Sequence, residues 1–300
     1  MPESSIPTHI TATTPLAPTL KAWEIYLRDQ GRSYYTIKAF FGDMNLLVNY
    51  LAPDRTLGTV TTADINHFLQ WMQEGRGVPC SPKSLARRIT SIKSFFRWLQ
   101  HSGVLIVDPA VKVLQKSVIS PLPEVLTLEE EGKVLEAALK YRIAKKPDAR
   151  PYTLLALMLS TGIKKGECLA IHLNHIDLEA PNGPILFIRY ANPSSRYKER
   201  KLSLTTDWVT AYQEYLSQYH PLEQVFPWSP RRLEYLLEDI GRDAGLSKHL
   251  SFDMCRWTCA LDNLKAAMDS EEIRQNLGIS KIQWREISMK LRRLSVPTTQ

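Results

Sequence analysis

The stretch Leu154–Glu167, LLALMLSTGIKKGE, decides how the rest of the chain is read. From Tyr152 to Leu159 it is apolar on every side, the composition of a helix packed within a domain, and Thr161-Gly162 ends it. Such a helix needs neighbours on several faces. Upstream, Leu126-Thr127-Leu128-Glu129-Glu130-Glu131 is a capped helix start with its acids in the first turn. Downstream, Ile176–Leu178, Ile185–Tyr190 and Lys201–Leu204 are short strand patterns between turn-rich connections, which predicts one small antiparallel sheet. Helical spacing resumes at Trp208.

Before Leu126 the pattern is purely helical. Leu20, Trp23 and Leu27 mark one helix ending at Gly31. A second runs from the N-cap Ser33 through Tyr35, Ile37, Phe41, Met44, Leu47, Val48 and Leu51 to Pro53. Thr61–Asp64 opens a third through Ile65, Phe68, Leu69 and Met72, closed by Gly75 and Gly77. Ser81-Pro82 starts the fourth, with proline at the first helical position, and Leu85, Ile89, Ile92, Phe96 and Leu99 form its buried stripe. The predicted fold is mainly α with one small antiparallel β-sheet, in two domains. The boundaries are a flexible arm at 1–16, a four-helix domain at 17–108, a proline-bearing linker at 109–122 and a mixed α/β domain at 123–300.

Composition narrows the function. The chain has 300 residues, 44% hydrophobic and 23% charged, with 38 Lys and Arg against 31 acids, a net charge of +7. That describes a globular protein and invites a polyanionic partner. Apolar runs fall short of the roughly 20 residues a membrane helix needs, so no membrane partner is expected. The opening residues lack the basic and apolar regions of a signal peptide, and the expected location is the cytoplasm, at the nucleoid. Four cysteines, at 80, 168, 255 and 259, show neither paired nor zinc-ligand spacing, so no disulfide framework, metal or cofactor is expected.

The charge is concentrated. Arg76, Lys83, Arg87, Arg88, Lys93, Arg97, Lys112 and Lys116 lie in one segment against the single acid Asp108, so the remainder of the chain sums to zero. On the fourth helix Lys83, Arg87, Thr90, Ser94 and Arg97 follow one helical stripe, flanked by Arg88 and Lys93. Such a stripe is either a solvated face or a phosphate-contacting one; cations interleaved with hydroxyls suit the second.

At four places, in order along residues 17–290, the chain resembles the tyrosine recombinase (phage integrase) family. Leu122–Thr127 resembles the entry to that family's catalytic domain, Leu154–Glu167 its first box, FDMCRWTCAL at Phe252–Leu261 its second, and Leu277-Gly278-Ile279 the approach to the nucleophile helix. The resemblance implies a SAM-like core-binding domain and an α/β catalytic domain that clamp duplex DNA. In the family a tyrosine attacks the scissile phosphate, two arginines bind its oxygens, and a lysine and histidines manage protons.

Mapped onto this chain, those positions are altered. The first arginine falls at Lys164, which keeps the charge and loses the planar fork. The lysine of the strand turn falls near Ser195, with Arg196 and Lys198 close by. The box-two histidine falls at Asp253, the second arginine is Arg256, Trp257 follows it where histidine is usual, the later histidine falls at Ile279, and the nucleophile falls at or next to Ser288. The last tyrosine of the sequence is Tyr235, upstream of the second box.

No catalytic group is therefore expected. Lys164, Arg196, Lys198, Arg200 and Arg256 join the segment Arg76–Lys116 as expected DNA contacts, Cys255 and Cys259 are expected in the core, and Trp257 is expected to be a core aromatic filling the space of the histidine usual there. Double-stranded DNA is the expected partner, with a second copy or an active recombinase beside it. Three readings stay open: an inactive DNA-binding relative, a divergent recombinase using Ser288 or another group, and a protein-interaction scaffold. The basic tail, Lys281, Arg285, Lys290, Arg292 and Arg293, has no assigned role.

Overall fold

The computed structural model describes residues 10–115 and 121–296, and the chain divides into two compact units meeting between Pro121 and Leu122. Residues 1–9 of the expected arm, and Lys116 of the basic segment, lie outside the described residues.

The first unit holds α1 (Leu16–Asp29), α2 (Tyr34–Leu51), α3 (Thr62–Gln70) and α4 (Pro82–His101). Their starts follow from local chemistry. The Ser33 and Ser81 side chains accept from the amides of Thr36 and Ser84, and Thr61 and Asp64 cap each other reciprocally. Between α3 and the loop lies one wide turn, Trp71–Gly75. The core gathers one stripe per helix around Trp23, whose ring meets Phe95 edge-on at 5.3 Å. α1 and α2 draw most of their stability from the packing of those stripes rather than from propensity.

Two ends of this unit differ from expectation. Residues 10–15, placed with the arm, lie against the α2–α3 connection: the Gly58 amide donates to the Ala12 carbonyl (2.7 Å) and the Leu16 amide to that of Arg55 (2.9 Å). Glycine at 58 eases this close approach, because a Cβ there would sit 3.0 Å from that of Ala12. Residues 109–113, placed with the linker, also fold inward. Asp108 accepts from the Ala110 amide (2.7 Å), Thr62 donates to the Pro109 carbonyl (2.7 Å), and Ala110 and Val113 are buried with the helices. Their apolar side chains gain more from that core than from water.

The second unit holds α5 (Leu128–Arg142), α6 (Arg150–Thr161), α7 (Lys165–Leu169), strands β1 (Ile176–Asp177), β2 (Ile185–Ile188) and β3 (Arg200–Ser203), then α8 (Thr206–Tyr219), α9 (Pro230–Asp243), α10 (Phe252–Lys265), α11 (Ser270–Asn276) and α12 (Lys281–Ser295). The sheet is antiparallel in the order β1-β2-β3, with Leu186 opposite both Ile176 and Leu202, and Ile188 opposite Arg200. α6 is the central helix: Leu154, Leu155, Leu157 and Met158 are buried, and α5, α8, α9 and α10 pack around it. Gly162, at a left-handed φ of 59°, turns the chain out of α6. Cys168, Cys255 and Cys259 are buried free thiols. α12 lays Trp284, Ile287, Leu291 and Leu294 against Ala260, Leu261 and Leu277. None of the described helices is long and apolar enough to cross a membrane.

Candidate nucleic-acid interface

The turn after α6 delivers Lys164 to the N-cap of α7, where its amide donates to Glu167 Oε2 (2.9 Å). Its Nζ donates to the Gly278 carbonyl (3.0 Å) and lies 3.7 Å from Glu167 Oε1. Burial pulls this ammonium down; Glu167 opposes the shift, Arg256, Arg200 and Lys198 add to it, and the result is about 8. Glu167 itself is 3% exposed. Burial alone would raise its pKa. Hydrogen bonds from Arg200, the charge of that guanidinium, the Lys164 amide and the Tyr190 hydroxyl outweigh burial and hold it at about 2.

Arg256, on the second turn of α10, reaches two other carbonyls: Nη1 donates to Gly162 and Nη2 to Leu277 (2.6 Å). Burial lowers its pKa without threatening the charge of a guanidinium. The first box, the second box and Leu277-Gly278 therefore meet at one point. Beside it opens a cleft of about 580 Å³ lined by Lys164, Arg256, Asp253, His249, Glu234 and Glu238 among others. Its rim is mixed in sign. Lys165 pairs with Glu234 at 2.5 Å, and His249 lies 3.6 Å from Glu238.

The remaining box positions divide. Asp253 is exposed at the mouth of the cleft, and Ile279 is buried in the apolar cluster between α10 and α12. Ser288 is half-buried on α12 and its hydroxyl donates to the Arg285 carbonyl (3.2 Å). Trp257 packs against the same cluster, and burial pushes the Cys255 and Cys259 thiols up to about 12, consistent with core positions.

In the hairpin, Ser195 lies on the short helical turn Pro193–Lys198, with its amide on the Asn192 carbonyl and no bond to the cations around Glu167. The hairpin cation that does enter is Arg200. Expected as a DNA contact, it is 8% exposed and turned inward: Nη1 and Nη2 hold Glu167 at 3.0 and 2.9 Å, and Nε donates to the Asn276 carbonyl (2.7 Å). Glycine at 278 permits this, since a Cβ there would overlap the guanidinium. Arg196 remains exposed, and Lys198 Nζ sits 5.1 Å from the centre of the Tyr197 ring.

In the first unit the basic stripe is partly anchored. Asp43, 2% exposed on α2, accepts Arg87 Nε (3.0 Å) and Nη2 (2.8 Å) and the Ser91 hydroxyl (2.9 Å). Arg88, expected as a DNA contact, is likewise turned inward, 11% exposed, with Nε 3.6 Å from Asp43 and Nη1 on the Cys80 sulfur. The acid that offsets them comes from another helix, so counting charges along 76–116 does not reveal it. Arg76, Lys83, Arg97 and Lys112 stay exposed, and Lys93 is half-buried. Gln115 leans back on α4, donating to Thr90 Oγ1 (3.1 Å).

Sequence reasoning left Glu167, Asp43 and Tyr190 without roles. For Glu167 a signal was available, an acid three residues after Lys164 at a helix start; for Asp43, a lone acid among the apolar positions of α2. Tyr190 donates its hydroxyl to Glu167, a contact no local pattern announces.

Comparison with known proteins follows the same division. Residues 20–103 match the phage integrase N-terminal SAM-like domain, and residues 124–288 match the phage integrase family. The chain is 25% identical over 280 residues to tyrosine recombinase XerD of Listeria innocua serovar 6a, covering 86% of this chain and 89% of the relative. It is 25% identical over 269 residues to tyrosine recombinase XerC of Actinobacillus succinogenes, covering 88% and 89%. Among solved structures, XerH site-specific recombinase in a post-cleavage complex with palindromic difH substrate superimposes with a TM-score of 0.70 at 18% identity, over 93% of this chain and 82% of that one. A λ integrase dimer bound to a COC′ core site gives 0.69 at 16% identity, over 91% and 77%.

Proposed function

Because this chain belongs to the phage integrase family, we propose that it binds duplex DNA in the manner of its relatives without cutting it, as an accessory, architectural or regulatory factor in recombination. The observation that carries this reading is at position 288. The nucleophile helix presents a serine hydroxyl hydrogen-bonded to the Arg285 carbonyl one turn back, and an aliphatic hydroxyl with no general base attacks phosphorus poorly. The tyrosine standing with the cations, Tyr190, is no substitute. Burial first, then the Glu167 carboxylate, push its hydroxyl above the ordinary phenol range.

Binding needs less than catalysis does. Distributed cations release counterions wherever they meet phosphate, so Arg76, Lys83, Arg97, Lys112, Arg196 and Lys198, with Lys164 and Arg256 at the cleft, suffice without a reacting centre. Relatives solved as a dimer on a core site and as a tetramer on a Holliday junction support a second copy, or an active recombinase, as partner on the DNA. The setting for this activity is the nucleoid.

The test is a nicked suicide duplex incubated with the protein, beside a salt-titrated binding assay on the same DNA. The reading expects no covalent adduct on a denaturing gel and an affinity that falls steeply with salt. An adduct abolished by Ser288→Ala would establish a recombinase with an atypical nucleophile, and binding indifferent to salt would refute the DNA reading.

A further inference from the structure

α2 opens with two tyrosines that the core does not use. Tyr34 is 69% exposed and Tyr35 79%, with their rings edge-on at 5.5 Å. They occupy the first turn, ahead of Ile37, where the buried stripe of α2 begins. Tyr197, also 69% exposed, differs in kind, because Lys198 already stands over its ring. No cation lies over Tyr34 or Tyr35 among the described residues.

The surroundings are cationic. Between Gly31 and Gly42 the charged residues are Arg32 and Lys38, both exposed, with no acid among them. The next acid, Asp43, is buried under Arg87 and Ser91. α4 runs antiparallel alongside: Asp43 meets Arg87 and Ser91, while Phe40, one turn earlier, shares Trp23 with Phe95. Going back along α2 to the tyrosines therefore means going forward along α4 to the exposed Arg97. The pair and Arg97 lie toward the same end of the two helices, with Tyr34 on the side of α2 turned away from Asp43.

An exposed aromatic pair among cations fits a nucleobase with its phosphates. Every base has a face to stack on, and a tyrosine ring offers that area with few rotamers to freeze. In an intact duplex those faces are covered by neighbouring bases. We infer that Tyr34 and Tyr35 form a stacking site for an unpaired base, with Arg32 and Lys38 on the flanking phosphates. The inference rests on the DNA-binding reading above and adds to it a preference for locally opened DNA.

The experiment uses the full chain and three ligands: a perfect duplex, the same duplex with a two-nucleotide bulge, and that bulge carrying 2-aminopurine. The expected result is about tenfold tighter binding to the bulged duplex, with quenching of 2-aminopurine fluorescence on binding. The double variant Tyr34→Ala/Tyr35→Ala should lose both and keep its affinity for the perfect duplex. Tyr34→Phe/Tyr35→Phe, which preserves the rings, should keep both. Equal affinity of the unaltered protein for the two duplexes, or an alanine variant that still quenches, overturns the inference and leaves the DNA-binding reading standing. Failure to bind any of the three overturns both. If the alanine variant binds all three as the parent does, the stacking site does not exist.

Discussion

The basic face of α4 and the cleft beside α10 hold the same kinds of side chain in opposite states. On α4 one buried carboxylate, Asp43, holds Arg87 and turns Arg88 inward, while Lys83 and Arg97 stand in solvent with no acidic partner among the described residues. At and beside the cleft the cations are withdrawn and bonded to carbonyls, Arg256 to those of Gly162 and Leu277, Lys164 to that of Gly278 and Arg200 to that of Asn276, with the Glu167 carboxylate also holding Arg200. The first arrangement is suited to many shallow phosphate contacts, each worth little and easily screened. The second rigidly joins three distant parts of the chain. The difference teaches that a site of this kind keeps a structural task for its cations: a buried guanidinium with satisfied carbonyls holds the boxes together whether or not a phosphate is cut.

That comparison can be broken from either side. The largest effect is expected at Asp43→Ala, which leaves the inward-turned Arg88 without its carboxylate and Ser91 with only the Arg87 carbonyl. It should cost about 3–5 kcal/mol of stability in urea unfolding; a loss near zero would show that the stripe does not depend on α2. Next, changing Lys83, Arg97 and Lys112 together to Glu should leave unfolding nearly unaltered and weaken duplex binding about a hundredfold. Their replacement by Ala should flatten the slope of log K against log salt by about 0.9 for each phosphate no longer neutralised. An unchanged slope would place the DNA elsewhere.

The smallest effect concerns the cleft. Burial brings the free Lys164 amine down to about 8 and phosphate favours its charged form, so duplex affinity should fall about tenfold between pH 7 and pH 10, starting at the free amine's pKa and levelling off above that of the bound amine. Lys164→Arg, charged throughout, should bind evenly across that range. A parent protein with no pH dependence beyond that of the arginine variant would remove Lys164 from the interface.

Much of the fold is legible because it is local. Ser33, Thr61, Ser81 and Thr127 announce helix starts through a hydrogen bond three residues away, and the apolar stripes name the faces that must be buried. The three strand patterns are visible too, although β2 ends at Ile188, where Tyr190 leaves the ladder to donate its amide to the Glu199 side chain. The candidate site was legible as positions and illegible as directions. Arg200 and Arg88 count as cations in any linear tally, yet each turns inward to an acid distant in the chain, Glu167 in one case and Asp43 in the other. Ser195 fell outside the cluster because hairpin register, set by Ile188 opposite Arg200, determines which hairpin cation enters.

The amino-acid sequence by itself determined the helices, the two-domain order, the family resemblance and the absence of a tyrosine on α12, since each depends on residue identity and short-range spacing. Only the tertiary structure decided which charges are free to meet a phosphate. Pairing depends on which acid lies within hydrogen-bonding distance after folding, and for Arg87, Arg88 and Arg200 that acid is contributed by a different element.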